Sequence, residues 1–294
     1  MVTTSEHRAP PGGRLCALDD VTHTVPEEPS GVDLGGYPRL DAAAAARVLE
    51  SCHGPRPELS LIAPVYNEVD NLEPLLERVV AAFEGGVDWE LVLVDDGSQD
   101  GSTQKIEALA ERDGRVRGVI FARNRGQSAA VTAGLRAARA PLLATLDADL
   151  QNDPADLPAM LAALGDADAV VGYRMKRRDT FVRRLSSKLA NGIRNRLSGD
   201  SIRDTGCSLK VYRAEAIRGI PYFDGMHRFL PTLLRYHGHE VLEHGVSHHP
   251  RVAGVSKYGV RNRALRALLD LLAVRWMRSR LIDLPVERVV GGRR

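Results

Sequence analysis

The chain is poor in cysteine, has no long apolar run and carries almost no net charge, and each shortage removes a class of protein. Only three cysteines, Cys16, Cys52 and Cys207, occur in 294 residues. Their spacing matches no metal-ligand pattern, and an odd number without a secretion signal favours reduced thiols in a cytoplasm. The N-terminus lacks the apolar core of a signal peptide. No stretch reaches the ~18 consecutive apolar residues of a membrane-crossing helix. No internal repeat is present. A Gly-x-Gly-x-x-Gly turn is also missing after the first expected strand. Pro64-Val-Tyr-Asn-Glu68 stands there instead, which counts against a dinucleotide site. The same loop is acidic, unlike the glycine-rich, basic first loop of a sugar-phosphate nucleotidyltransferase.

What is present is ordinary in amount and uneven in placement. At 44% hydrophobic and 27% charged, the composition is that of a soluble globular protein. The length admits one large or two small domains. The net charge of +2 hides a basic stretch: Arg174, Lys176, Arg177, Arg178, Arg183, Arg184, Lys188, Arg194, Arg196 and Arg203 are opposed only by Asp179 and Asp200. The chain from Arg251 onward is basic too. Such patches imply anionic partners: phosphates, nucleic acid or acidic lipid headgroups.

Residues 1–57 read as a flexible extension. Pro10-Pro-Gly-Gly13, Pro26, Pro29, Gly35-Gly36 and Pro38 break it up, apart from an alanine-rich run at 40–52 with the makings of one short helix. From Leu59 strands and helices alternate. Apolar runs at 59–63, 90–94, 116–121 and 142–146 predict strands. Helical spacing at 71–83, 102–112 and 127–138 fills the gaps between them. This order predicts a parallel sheet with helices on both faces, with ligands outside the carboxyl ends of the strands. Later segments predict strands at 169–174 and 240–249, a loop entering a strand at 202–212, and helices at 183–197 and 264–282. The last carries Leu265, Leu268, Leu269, Leu272 and Trp276 at helical spacing.

Three polar motifs fall at strand ends: Pro64–Glu68, Asp95-Asp96, and Asp147-Ala-Asp-Leu-Gln151. If the third stays extended, residues i, i+2 and i+4 point to one side. Asp147, Asp149 and Gln151 would then gather hard oxygen ligands suited to Mg2+ or Mn2+, with open positions for substrate phosphates. The plainer alternative is a strand end with a solvated acidic turn. Asp95, after a buried strand, can accept hydrogen bonds from a nucleobase or ribose.

PVYNE, LVDDGSQDGS, NRGQSAA, LDADLQNDP, GYR, RDTGCSLK and HPRVAGVSKYG occur in this order. With these motifs the chain, from about residue 59 to 258, resembles the polyprenol-phosphate glycosyltransferases of glycosyltransferase family 2. These are similar to dolichyl-phosphate mannosyltransferase and to bacterial enzymes that place sugars on undecaprenyl phosphate. The resemblance implies an α/β GT-A fold over 58–260, a Rossmann-like, mostly parallel sheet flanked by helices. Its nucleotide-sugar half would be 58–151 and its acceptor half 152–260, followed by an amphipathic basic helix and tail at 261–294. It implies inverting, metal-dependent transfer from a UDP- or GDP-linked sugar to a polyprenyl phosphate, in cell-envelope glycan biosynthesis.

Carried over by motif, Pro64, Tyr66, Glu68, Leu93 and Asp95 hold the nucleoside, and Ala148 touches the nucleotide through its backbone. Asp147, Asp149 and Gln151 hold Mg2+ or Mn2+ and through it the diphosphate. Arg174 sits near the donor and acceptor phosphates, while Arg251 and Lys257 close over the donor. Arg183 or Arg184, with Ser187 one helical turn on, receives the acceptor phosphate. Asp149, Arg251 and Asp204 form the catalytic set, Asp204 without a defined role. A phosphate acceptor, with a second pKa of about 6, is already anionic and needs no strong base.

A soluble hydroxyl acceptor is the alternative, disfavoured because it requires a general base that the motifs do not supply. A non-catalytic binding module is another. The strand-end carboxylates argue against nucleic acid, whose phosphates they repel. His237, His239, His244, His248 and His249 lack zinc spacing and read as structural or surface residues. The last helix lies on an anionic membrane, packs on the core or meets a second copy of the chain. The localisation expected is cytoplasmic, including the cytoplasmic membrane face.

Overall fold

Two strands are inaccessible to solvent along nearly their whole length, the mark of central strands in a sheet covered on both faces. They are β1 (Leu59–Val65) and β2 (Trp89–Asp95). The computed structural model describes residues 56–175, 198–249 and 260–282, the side chains of the last segment from Leu268 onward. The expected extension at 1–57, all but its last two residues, and the expected helix at 183–197 lie outside the described residues.

The remaining elements follow in order: α1 (Val69–Ala82), α2 (Ser102–Arg112), β3 (Val116–Ile120), α3 (Gln127–Ala137), β4 (Leu142–Thr145), α4 (Leu157–Leu164), β5 (Ala169–Arg174), β6 (Lys210–Arg213), α5 (Ala214–Arg218), α6 (Leu230–Tyr236), β7 (Val241–Val246) and α7 (Val260–Arg278). Short 3-10 turns at Pro154–Asp156 and Met226–Arg228 precede α4 and α6.

The strands form one sheet in the order β3-β2-β1-β4-β6-β5-β7. Alternate residues feed opposite faces, as the pleat requires. Leu59, Leu61, Leu91 and Leu93 join Leu72, Leu75 and Val79 of α1 in one apolar layer. Ile62, Val92 and Val94 join Ala130, Val131 and Leu135 of α3 in the other. Small residues in α3 let it lie close to the sheet. A Cβ on Gly134 would come within 2.3 Å of Ile62 Cγ2.

The sheet is mixed rather than wholly parallel. β6 runs antiparallel to both β4 and β5, while the other pairings are parallel. Apolar periodicity reports burial and is blind to direction, so the motifs could not show the reversal. The reversal positions the site. It brings the start of β6 to the edge where β1, β2, β4, β5 and β7 end.

Below that edge Glu90 is buried at 1% exposure. It accepts hydrogen bonds from Ser60 Oγ (2.6 Å), Arg139 Nε (2.8 Å), the Arg139 backbone N (2.9 Å) and Arg117 Nη1 (3.1 Å). Burial alone would raise its pKa. These donors outweigh burial and hold the carboxyl below its usual value.

Candidate functional site

The Asp147–Gln151 segment is not extended. β4 ends at Thr145, and residues 148–152 form turns and bends in which Leu150 takes φ 60°. The shared side expected of an extended strand is therefore replaced by a turn. Its cause is local: Asp149 Oδ1 accepts from the Gln151 backbone N at 3.1 Å, a bond short polar side chains make readily. Leu150 is buried in the core and pays for its left-handed backbone by that burial. Asp149 is 7% exposed. Asp147 lies at a cavity of about 160 Å³.

The first two loops are stitched together. Asn67 N donates to Ser98 Oγ (2.9 Å), Gln99 N to Asn67 Oδ1 (2.7 Å) and Glu68 N to Ser102 Oγ (3.0 Å). Asp95 is wholly buried and accepts from Ser98 N at 2.9 Å and from the Thr103 hydroxyl. Leu93 is wholly buried, and Pro64 lines the cavity. Ala148 is buried, while Tyr66 and Glu68 are half-buried.

Asp96 carries a connection that the motifs did not reveal. Its carboxylate accepts the backbone N–H groups of Arg125 (2.5 Å) and Gly126 (2.9 Å), directly ahead of α3. Gln127, the first residue of α3, then donates from Nε2 to Asp147 Oδ1 at 3.1 Å. Burial is the main reason the Asp96 pKa lies above its ordinary value, with Asp95 adding to it. Gly97 makes the approach feasible: with φ +72°, a Cβ there would lie 2.6 Å from the Arg123 carbonyl carbon.

The loop before β6, the start of β6 and the turn before α6 also line the cavity, and the end of β5 lies beside that loop. Arg174 donates from Nε to Asp204 Oδ2 (2.7 Å) and from Nη2 to Oδ1 (2.9 Å). Burial opposes the Arg174 charge, but Asp204 prevails and raises its pKa. Lys210 is buried at the cavity, opposite Thr145 in the β4–β6 register. Burial pushes its pKa down, against the pull of Cys207, Asp147 and Asp204. His227 and Arg228 complete the lining. The sequence predicts that the Met226–Pro231 stretch approaches the sugar or the acceptor; it does not show the partner of His227, Ser128 of α3, whose Oγ lies 2.7 Å from His227 Nδ1.

The late strand also reaches this rim. His249 N donates to Gln151 O at 2.8 Å, and its Nε2 lies 3.4 Å from Asp153 Oδ2. His239 faces Asp168, and His237 Nδ1 bonds Leu233 O. Arg251 and Lys257, and the expected acceptor residues Arg183, Arg184 and Ser187, lie outside the described residues. The structure thus brings Asp147, Asp149, Gln151, Arg174 and Asp204 to one edge with Pro64 and Asp95. Among the described residues no group of three His, Cys, Asp or Glu is placed to hold a metal. A cation there would need the Gln151 amide and ligand oxygens besides the two carboxylates. That all-oxygen set fits Mg2+ or Mn2+.

Helix α7 divides its apolar residues between two sides. Leu271 and Val274 are buried in the core, whereas Leu268, Leu269, Leu272 and Trp276 are 45%, 57%, 46% and 61% exposed. The described residues of the stripe read from the sequence are thus on the outer side. Among the described residues, no helix is long and apolar enough to cross a membrane.

The sequence matches the family model for Glycosyl transferase family 2 over residues 60–220. It is 44% identical over 224 residues to dodecaprenyl-phosphate galacturonate synthase of Rhizobium johnstonii, covering 74% of this chain and 66% of that protein. It is 39% identical over 217 residues to undecaprenyl-phosphate 4-deoxy-4-formamido-L-arabinose transferase of Edwardsiella ictaluri, covering 73% and 66% respectively. The chain therefore spans just under two thirds of the length of these curated relatives. Among solved structures, a mannosyltransferase from Pyrobaculum calidifontis in complex with GDP-Man and Mn2+ superposes with a TM-score of 0.55 at 20% identity, covering 83% of this chain and 73% of that one. Glucosyl-3-phosphoglycerate synthase from Mycobacterium tuberculosis in complex with Mn2+, UDP and phosphoglyceric acid superposes at 0.55 and 18% identity, covering 81% and 84%. These structures share the fold, a mostly parallel mixed sheet flanked by helices of the GT-A type.

Proposed function

The chain belongs to glycosyltransferase family 2, and on that premise we propose that it transfers a sugar from a nucleotide sugar to a polyprenyl phosphate. The observation that carries this reading is the convergence of Asp147, Asp149 and the Arg174–Asp204 pair on one sheet edge. Two relatives named for polyprenyl-phosphate acceptors support it.

In this reading Pro64, Tyr66, Glu68, Leu93, Asp95 and Ala148 make the nucleoside end of the site. Asp147, Asp149 and Gln151 hold Mg2+ or Mn2+, which neutralises charge on the leaving diphosphate when bound. Arg174, oriented by Asp204, supplies fixed positive charge where the two phosphates meet. Arg251 and Lys257 close over the donor, their loop following His249, which is tied to Gln151. Arg183 or Arg184 with Ser187 takes the acceptor phosphate. That phosphate attacks in line with the anomeric C–O bond and inverts it. Because the acceptor is anionic, positioning and charge neutralisation suffice.

The same reading gives the outer face of α7 a task. Leu268, Leu269, Leu272 and Trp276 rest on an anionic membrane, with Arg275 and Arg280 reaching its headgroups.

The test has two stages. Thermal-shift measurements with Mn2+ and each nucleoside diphosphate identify the base. Transfer of labelled sugar from the matching nucleotide sugar to undecaprenyl phosphate is then followed by extraction into organic solvent. Base-selective stabilisation and label in the lipid phase are expected. Stabilisation by no diphosphate, or transfer to soluble acceptors alone, would overturn the reading.

A further inference from the structure

His227, which lines the cavity along with Asp147, is held from behind by a residue distant in the chain. Ser128, in the first turn of α3, is 5% exposed. Its Oγ accepts the Gly225 backbone N–H at 2.8 Å and lies 2.7 Å from His227 Nδ1. A serine hydroxyl has one proton to give. With Gly225 donating to the oxygen, the hydroxyl's described acceptor is Nδ1. When the hydroxyl gives its proton to Nδ1, that nitrogen presents its lone pair and the imidazole proton sits on Nε2. His227 itself lines the cavity with Asp147, Gln127 and Lys210.

The turn that presents His227 is fixed from behind. Gly225 has φ +91°, and a Cβ there would fall 2.5 Å from Asp270 Oδ2 of α7. Phe229 N closes the turn on Met226 O at 2.7 Å. At about 160 Å³, the cavity is smaller than the ~300–1,000 Å³ typical of drug-sized ligands. Within it there is no room for a whole nucleotide, so only one part of a nucleotide sugar can enter.

We infer that His227 binds the transferred sugar: Ser128 holds its ring as the Nε2–H tautomer, which donates a hydrogen bond to an oxygen of that sugar. Ser128 is the positioning residue. This rests on the nucleotide-sugar reading above and adds to it the group that recognises the sugar rather than the diphosphate.

Calorimetric titrations with Mn2+ separate the two readings, using UDP, GDP and a panel of their sugar conjugates. For the sugar nucleotide that binds wild type most tightly, His227→Ala is expected to weaken binding about tenfold. The matching nucleoside diphosphate should bind within about twofold of wild type, since its contacts lie elsewhere. Wild-type affinity of His227→Ala for the sugar nucleotide would overturn the inference and leave the family reading intact. Absence of any diphosphate binding by wild-type protein would remove both. Nitrogen-15 imidazole shifts test the positioning without any ligand. Wild type should show Nδ1 unprotonated and Nε2 protonated, and Ser128→Ala should show a tautomer mixture with a smaller loss of sugar-nucleotide affinity. An Nδ1-protonated ring in wild type would overturn the inference.

Discussion

Asp204 grips Arg174 by two parallel hydrogen bonds, of 2.7 and 2.9 Å, across the gap between the end of β5 and the loop before β6. Asp204 Oδ1 also accepts Gly206 N at 3.2 Å, so the loop is shaped by the same carboxylate that aims the guanidinium. Bidentate pairing of this kind fixes direction as well as charge.

If Asp204 acts through Arg174, the two residues form one unit. Asp204→Ala should slow transfer about 100-fold, the scale of a misplaced charged group. Arg174→Ala should slow it at least as much. The double variant should be no slower than Arg174→Ala alone, because the interaction is already gone. Steady-state rates for the four proteins decide it, and additive losses would show independent roles.

Asp149→Asn keeps an oxygen to accept Gln151 N, so the turn should survive. It lacks the second charged oxygen that a divalent cation requires. Turnover should fall by about 10²–10³ or more, with a melting temperature near that of wild type and Mn2+-dependent diphosphate binding lost. Retained activity would remove the metal assignment.

Asp96→Asn should loosen the start of α3. One amide oxygen can take only part of the load of Arg125 and Gly126, and the NH2 group would face a donor. A destabilisation of about 1–3 kcal/mol is expected from the lost bonds, read from the urea midpoint at unchanged slope. The KM for the nucleotide sugar should rise as well, since Gln127 would lose its hold on Asp147.

Glu90 makes stability depend on acid. Its folded pKa lies below the ordinary 4.5, so its contribution is complete above that value. It drains away as pH falls through the lower, folded value. Unfolding free energy should therefore drop below about pH 4.5 in wild type. Glu90→Gln should flatten that part of the profile. It should also cost about 1–3 kcal/mol at neutral pH by removing the negative charge that Arg117 and Arg139 pair with. An unchanged acid limb in the variant would assign the loss to other groups.

The outer face of α7 predicts vesicle binding. Wild-type protein should co-sediment with anionic phosphatidylglycerol vesicles at low salt and less so as salt screens the arginines. Leu269→Glu combined with Trp276→Glu should abolish co-sedimentation without altering the fold, since both side chains are more than half exposed. Wild-type protein left in the supernatant at low salt would end the membrane reading.

Much of the first half was legible before any coordinates. Runs such as Leu91–Val94 are apolar because both faces of a central strand are covered, and their ends carry the polar motifs. Strand ends drifted by a residue or two: β1 runs on to Val65, and β2 spans Trp89–Asp95. One expectation changed for a local reason, and one left open is narrowed. The Asp147–Gln151 segment turns because Asp149 captures the Gln151 N–H, which outweighs continuation of the strand. The α7 stripe faces outward because the core takes Leu271 and Val274 instead.

The sequence by itself determined the family, the layered α/β plan and the carboxylates at strand ends, because burial periodicity and motif order are properties of neighbours in the chain. The tertiary structure alone decided that β6 runs backward and brings Asp204 and Lys210 to the same edge as Asp147. It alone paired Ser128 with His227 across 99 positions and joined Asp96 to the start of α3. Those pairings are set by strand direction and by which donor a buried acceptor meets. Both depend on how distant segments pack, and no local pattern of side chains records that.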